Sequence, residues 1–203
     1  MKRATIVGGD KSYGEFLPKS WTFISSSSVV QSDDAVIFTG GADVFPGFYG
    51  EQPLSTTYFD AKRDAEELNA WKKAKRLGVP CIGICRGAQL LCVANGGKLA
   101  QHVRGHTSNH KMRTSKGNVL SVNSTHHQMM LPNDRGIILA WAESVATEYS
   151  TEPEKKKGKF IEPEVVWYPD TKDLCIQYHP ERMDYTQEAL LYAHELVKKY
   201  IGE

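Results

Sequence analysis

Two short segments carry side chains able to do covalent chemistry together. In Gly83-Ile84-Cys85-Arg86-Gly87 a cysteine stands between an apolar run, Val79–Ile84, and a helical pattern from Ala88. Glycines two residues before and after it leave room for a sharp strand-to-helix turn, which lifts one side chain above a sheet in a strained backbone conformation. A thiol there meets the positive end of a helix, which is expected to lower its pKa and favour the thiolate. The N–H of Arg86 then points to where an oxyanion would form. By itself the pentapeptide also fits a buried cysteine in a glycine-flanked turn.

The second segment is Tyr178-His179-Pro180-Glu181, at the end of a predicted strand over Leu174–Tyr178. Side chains two apart on a strand share a side, so Glu181 can accept the Nδ1–H of His179 and leave Nε2 to take a proton from the thiol. Pro180 lacks an N–H and suits the end of a strand. Nucleophile, base and orienter together describe acyl transfer. Thr39-Gly40-Gly41-Ala42-Asp43 follows another strand-like run and can bring a second backbone N–H to the same point. An ordinary strand-to-loop turn explains that segment equally well.

These residues need a scaffold that brings several strand ends together. Ala4–Val7, Thr22–Ser25 and Ala35–Phe38 read as strands, and Arg63–Leu77 as a helix with Leu68, Trp71, Ala74 and Leu77 on one stripe. Gly78 and Pro80 end that helix. A second helix covers Ala88–Ala94. Later runs predict strands at Val119–Val122, Gly136–Trp141, Phe160–Trp167 and Leu174–Tyr178. A last helix is expected from Asp184, with Gln187 completing a capping box. This alternation predicts one α/β domain over residues 1–203, a mainly parallel central sheet with helices on both faces. Strand carboxyl ends are where such sheets hold their sites.

The pieces, in this order, resemble the class I glutamine amidotransferase superfamily, and most closely its γ-glutamyl-γ-aminobutyrate hydrolase branch. The words that carry the resemblance are Gly40-Gly41-Ala42-Asp43 with Pro46 and Tyr49-Gly50-Glu51, and Arg63-Asp64 with Glu67. They continue with Gly83–Leu91, Asn95-Gly96-Gly97, Val122–Gln128 and His179-Pro180-Glu181. The resemblance implies a flavodoxin-like three-layer sandwich and a catalytic triad of Cys85, His179 and Glu181. It also implies an oxyanion hole from the N–H groups of Gly41 and Arg86, and a glutamyl pocket using Gln89, Ser124, Thr125 and His126. The implied reaction is hydrolysis of γ-glutamyl amides through a thioester, releasing glutamate and an amine or ammonia. The chain departs from the branch in lacking a long first helix and in carrying Thr125 where an aromatic residue is common. Both departures fall on the amine half of the substrate.

Two other functions fit the same words. One is a glutaminase subunit handing ammonia to a separate synthetase, since nothing in this chain resembles a nucleotide-binding synthetase. The other is a non-catalytic binder, which would have no need of cysteine, histidine and glutamate together. The 203 residues are 40% hydrophobic and 24% charged, with a formal net charge of +1, which gives no reason to expect nucleic acid as partner. No apolar run reaches bilayer length and no signal peptide is recognised, so the chain reads as cytoplasmic. Cys81, Cys92 and Cys175 lie in apolar runs and read as core residues.

No organic cofactor or metal is expected. His102, His106 and His110 recur every fourth residue, but Gly105 and the polar Thr107-Ser108-Asn109 break any helix that would align them, so they read as loop histidines. Arg63, Asp64 and Glu67 are explained by surface pairing and helix-dipole complementation nearly as well as by a site role. Glu152–Lys159 reads as a solvated hairpin tip.

Overall fold

The computed structural model describes residues 2–202 except 27, 30, 144, 147, 148, 151–154 and 157–160. Its main sheet has nine strands: β1 (Lys2–Val7), β2 (Trp21–Ser25), β3 (Ala35–Phe38), β4 (Cys81–Ile84), β5 (His110–Thr114), β6 (Val119–Val122), β7 (Ile137–Ala142), β8 (Pro163–Tyr168) and β9 (Asp173–Ile176). Their order is β2-β1-β3-β4-β9-β8-β7-β5-β6. The first five run parallel. From β9 outward the sheet continues antiparallel.

Helices α1 (Ala61–Arg76) and α2 (Arg86–Ala94) cover one face, and α3 (Glu188–Tyr200) covers the other. Strand alternation separates the two cores. Ile6, Ile37, Ile82, Ile84 and Ile176 pack toward Leu190, Ala193 and Val197 of α3. Val36, Phe38, Cys81, Val166 and Cys175 pack toward Ala70, Ala74, Leu90 and Leu91 of α1 and α2. Cys81, Cys92 and Cys175 are all fully buried in this second core. No helix among the described residues is long and apolar enough to cross a membrane.

Several local expectations shift. The face that α1 buries is Asp64, Glu67, Ala70 and Ala74, while Leu68 and Trp71 of the expected stripe are only half-buried. Two carboxylates can lie on that face because the guanidinium of Arg86 comes up from α2 to meet them. Helix α3 starts at Glu188, one turn later than expected. Gln187 Oε1 does accept the Asp184 N–H at 2.9 Å, but the turn it closes is not continuous with the helix. Strand β5, unmarked in the sequence by any apolar alternation, is held by β6 and β7. Between β1 and β2 the chain makes only a short 3-10 turn, Lys11–Gly14. Lys155–Lys156 pairs antiparallel with Tyr149–Ser150, and the rest of the expected hairpin tip lies outside the described residues.

Candidate active site

Cys85 sits between β4 and α2 at φ 52°, ψ −111°, in the left-handed half of the map that L-residues avoid. Strain of this kind costs on the order of 1–3 kcal/mol and persists only where packing enforces it. Here the flanking glycines enforce it. A Cβ on Gly83 would run into the backbone of Gly87 and Ala88, and one on Gly87 into the carbonyl of Phe38 on β3. The elbow therefore closes against itself and against the neighbouring strand, as only glycine allows.

The thiol does not gain the lowered pKa expected at a helix N-terminus. Burial dominates and pushes it up to about 12, although the Arg86 N–H bonds to the sulfur and pulls in the opposite direction. Desolvation of a thiolate in a closed turn outweighs the helix end. A thiol held up in this way would need a base before it could attack.

His179 is the candidate base. Its Nδ1 lies 2.7 Å from Glu181 Oε1, with both side chains buried. Assigning the proton to Nδ1 leaves Nε2 with a free lone pair. The contact is not made along a strand, as sequence spacing suggested. Strand β9 ends at Ile176, and Pro180–Arg182 forms a 3-10 turn that folds Glu181 back under the ring. Asn123 pins the histidine backbone by reciprocal bonds of 2.9 Å, its amide donating to the His179 carbonyl and its oxygen accepting the His179 N–H. Nε2 faces the Thr125 hydroxyl at 3.1 Å.

Beside Cys85 is a cavity of about 180 Å³ lined by Gly41, Asp43, Arg86, Gln89, Thr125, His126 and His127, among others. Gly41 and Arg86 therefore flank the thiol together. Gln89 donates to the Gln128 carbonyl at 3.2 Å and to Gln177 Oε1 at 3.3 Å, and so holds the far wall. His127 pairs with Asp43 at 3.0 Å, a bond that outweighs burial and raises the histidine pKa above its ordinary value. Ser124 is placed elsewhere: it is buried, absent from the cavity lining, and donates its hydroxyl to the His106 carbonyl.

The loop carrying Gly41 is tied to the elbow by a buried ion network. Arg86 spans Asp64 and Glu67, all three at most 2% exposed. Glu67 also accepts from Arg63 Nε at 2.8 Å, and Arg63 Nη2 donates to the Gly40 carbonyl at 3.0 Å. Asp64 accepts the Phe45 N–H at 2.7 Å. Any side chain at position 41 would strike the Arg63 guanidinium. Arg63, Asp64 and Glu67 therefore do more than pair at a helix surface: they link the Gly40 carbonyl and the Phe45 N–H to Arg86. Asn123 and this network were not assigned roles from sequence, although each lies within or beside a motif word.

His106 is likewise not a loop histidine in solvent. It is fully buried beside His110 and His126, and all three rings face Glu164. His102 diverges from them and lies beside His127 with its ring tilted, Nδ1 to Nδ1 3.4 Å.

Residues 16–181 match the Peptidase C26 family model. The chain is 32% identical over 172 residues to the glutamine amidotransferase-like protein YvdE of Lactococcus lactis, covering 73% of this chain and 66% of that one. It is 30% identical over 179 residues to a glutamine amidotransferase-type protein, Rv2859c, of Mycobacterium tuberculosis, covering 78% of this chain and 54% of that one. The chain thus spans between half and two thirds of the length of these relatives. The structure of a glutamine amidotransferase from Thermotoga maritima superposes with a TM-score of 0.61 at 15% identity, over 98% of this chain and 85% of that one, which is a likeness of fold. The chain belongs to the Peptidase C26 family, within the class I glutamine amidotransferase-like superfamily.

Proposed function

We propose that the chain hydrolyses γ-glutamyl amides through a γ-glutamyl thioester on Cys85. The observation that carries this reading is the strained Cys85 in the wall of a small cavity whose Thr125 also touches the ring nitrogen of a His179–Glu181 pair. At about 180 Å³ the cavity is smaller than the roughly 300–1,000 Å³ typical of drug-sized ligands, and it suits a compact polar group such as a glutamyl moiety. Asp43 and His127, paired with each other at 3.0 Å, form one polar stretch of its wall.

In this mechanism His179 Nε2 takes the thiol proton as sulfur attacks the amide carbon. The oxyanion is met by the Arg86 and Gly41 N–H groups. Collapse breaks the C–N bond, and His179 returns the proton to the departing amine. A water deprotonated by the same nitrogen then attacks the thioester, releasing glutamate and restoring the thiol. Glu181 stabilises the imidazolium that forms.

The test incubates the purified chain with glutamine and a panel of γ-glutamyl amines, following glutamate release and the mass of the Cys85 peptide. Steady release without a partner, with an added γ-glutamyl mass on Cys85, is expected. Turnover of glutamine alone, and only when a co-purifying synthetase is added, would instead identify an ammonia-supplying subunit. Absence of both glutamate release and labelling by a glutamine-like electrophile would mean a binder on the same fold.

A further inference from the structure

Behind the cavity wall three buried side-chain atoms stand without a hydrogen-bond partner among the described residues: His106 Nδ1, His126 Nε2 and Glu164 Oε2. These residues are 0%, 4% and 0% exposed. One donor atom from each lies within 4.8 Å of the other two. Leaving such atoms unpaired in a closed interior costs about 1–3 kcal/mol each, so convergence of three calls for an occupant.

The other polar atom of each residue is already committed. His106 Nε2 lies 2.7 Å from Glu162 Oε2, which also accepts the Ala146 N–H at 2.9 Å and the Val145 N–H at 3.1 Å. His126 Nδ1 lies 2.9 Å from the Gln128 carbonyl, an acceptor only, so the proton sits on Nδ1 and Nε2 presents a bare lone pair. Glu164 Oε1 lies 2.9 Å from His110 Nε2. Two imidazoles anchored through one nitrogen to an oxygen acceptor, with the other turned inward beside an anchored carboxylate, is the outer-partner pattern of metal sites. Glu164 Oε1, the oxygen His110 holds, lies 3.5 and 3.7 Å from His106 Nδ1 and His126 Nε2, too long for good hydrogen bonds.

We propose that His106, His126 and Glu164 bind one divalent transition-metal ion of the zinc class, with Glu162, the Gln128 carbonyl and His110 as their outer partners. Two imidazoles and a carboxylate favour zinc or its neighbours over magnesium or calcium, and they leave a fourth position for water. The ion joins three separate parts of the chain: the segment before β5, the Ser124–Gln128 segment and β8. Ser124, bonded to the His106 carbonyl, adds a second tie between the first two. His126 is part of the cavity wall that also presents Thr125 to His179. The metal therefore positions this wall.

Untagged protein stripped with dipicolinate and titrated with zinc against a chromophoric chelator tests the site. One equivalent is expected, with a Tm that rises with zinc concentration. Cobalt in its place should give the intense visible bands of a four-coordinate ion. Cys85→Ala should keep the full equivalent, and His126→Gln and Glu164→Gln should each lose at least about 100-fold in affinity. Zinc-edge X-ray absorption on the unmutated protein, which does not depend on any variant folding, should show only nitrogen and oxygen neighbours with imidazole scattering. Less than a tenth of an equivalent bound, a sulfur neighbour, or unchanged affinity in both folded variants would overturn the proposal.

Discussion

Thr125 Oγ1 stands 3.1 Å from His179 Nε2, the nitrogen that takes the Cys85 proton in the proposed mechanism. Because Nδ1 is committed to Glu181, the threonine hydroxyl donates to Nε2 and competes with the thiol for it. Thr125→Val, close in shape but without the hydroxyl, should speed alkylation of Cys85 by iodoacetamide at neutral pH about fivefold, the worth of one net hydrogen bond of ~1 kcal/mol. An unchanged or slower rate would show that the two groups do not compete.

Thr125 also borders the cavity, so its size should bear on the leaving amine. We expect Thr125→Phe to reorder kcat/KM among glutamine, γ-glutamyl-aminobutyrate and a γ-glutamyl polyamine. Rejection of substrates lacking the α-amino or α-carboxyl group should stay strong in both forms, up to ~10⁴-fold, as for sites that bury unpaired polar contacts. An identical ranking in both forms would remove Thr125 from the amine pocket.

The triad should behave as a unit. Cys85→Ala should leave the fold intact and less than about a hundredth of wild-type turnover, with His179→Ala falling nearly as far. Glu181→Gln should lose less, because the 3-10 turn still holds an oxygen near Nδ1. The Cys85→Ala/His179→Ala double variant should be little worse than either single one. Additive losses in glutamate release would show independent roles.

The Arg86 network predicts a joint loss of stability and rate. Glu67→Gln or Asp64→Asn leaves part of a buried guanidinium charge uncompensated, and denaturant unfolding should show a loss of about 3–5 kcal/mol. Arg63→Ala should cost less stability yet still lower kcat, since it releases the Gly40 carbonyl and with it the Gly41 N–H. Normal kcat in a folded Arg63→Ala protein would separate this network from catalysis.

Alkaline pH should expose the buried thiols. Cys85 and Cys92 are both pushed up to about 12 by burial, from an ordinary value of 9.0. Between those values the native state holds a proton that the unfolded chain has lost. The stabilisation is complete below pH 9 and disappears as pH rises toward 12, each thiol contributing a slope of about −1.4 kcal/mol per pH unit. The unfolding free energy of Cys85→Ala should therefore fall less steeply than wild type between pH 9.5 and 11. Parallel slopes would mean the thiol is not protonated by burial.

The elbow, the glycine loop and the His179-Pro180-Glu181 triplet were legible in sequence because each is a local device. Glycine at positions 83 and 87 is demanded by a turn only five residues long, and apolar runs of four residues mark β3 and β4 wherever they pack. What the tertiary structure decided depends on contacts far apart in the chain. Asp64 and Glu67 look like helix-surface charges until α2 brings Arg86 against them. Helix position suggested an acidic thiol at Cys85, but the cost of burial, a property of the whole packed turn, reversed the sign. His106, His126 and Glu164 have no shared spacing to read. They meet because β8, β5 and β6 belong to the same antiparallel wing of the sheet, and only closure of that wing removes water from their inner atoms.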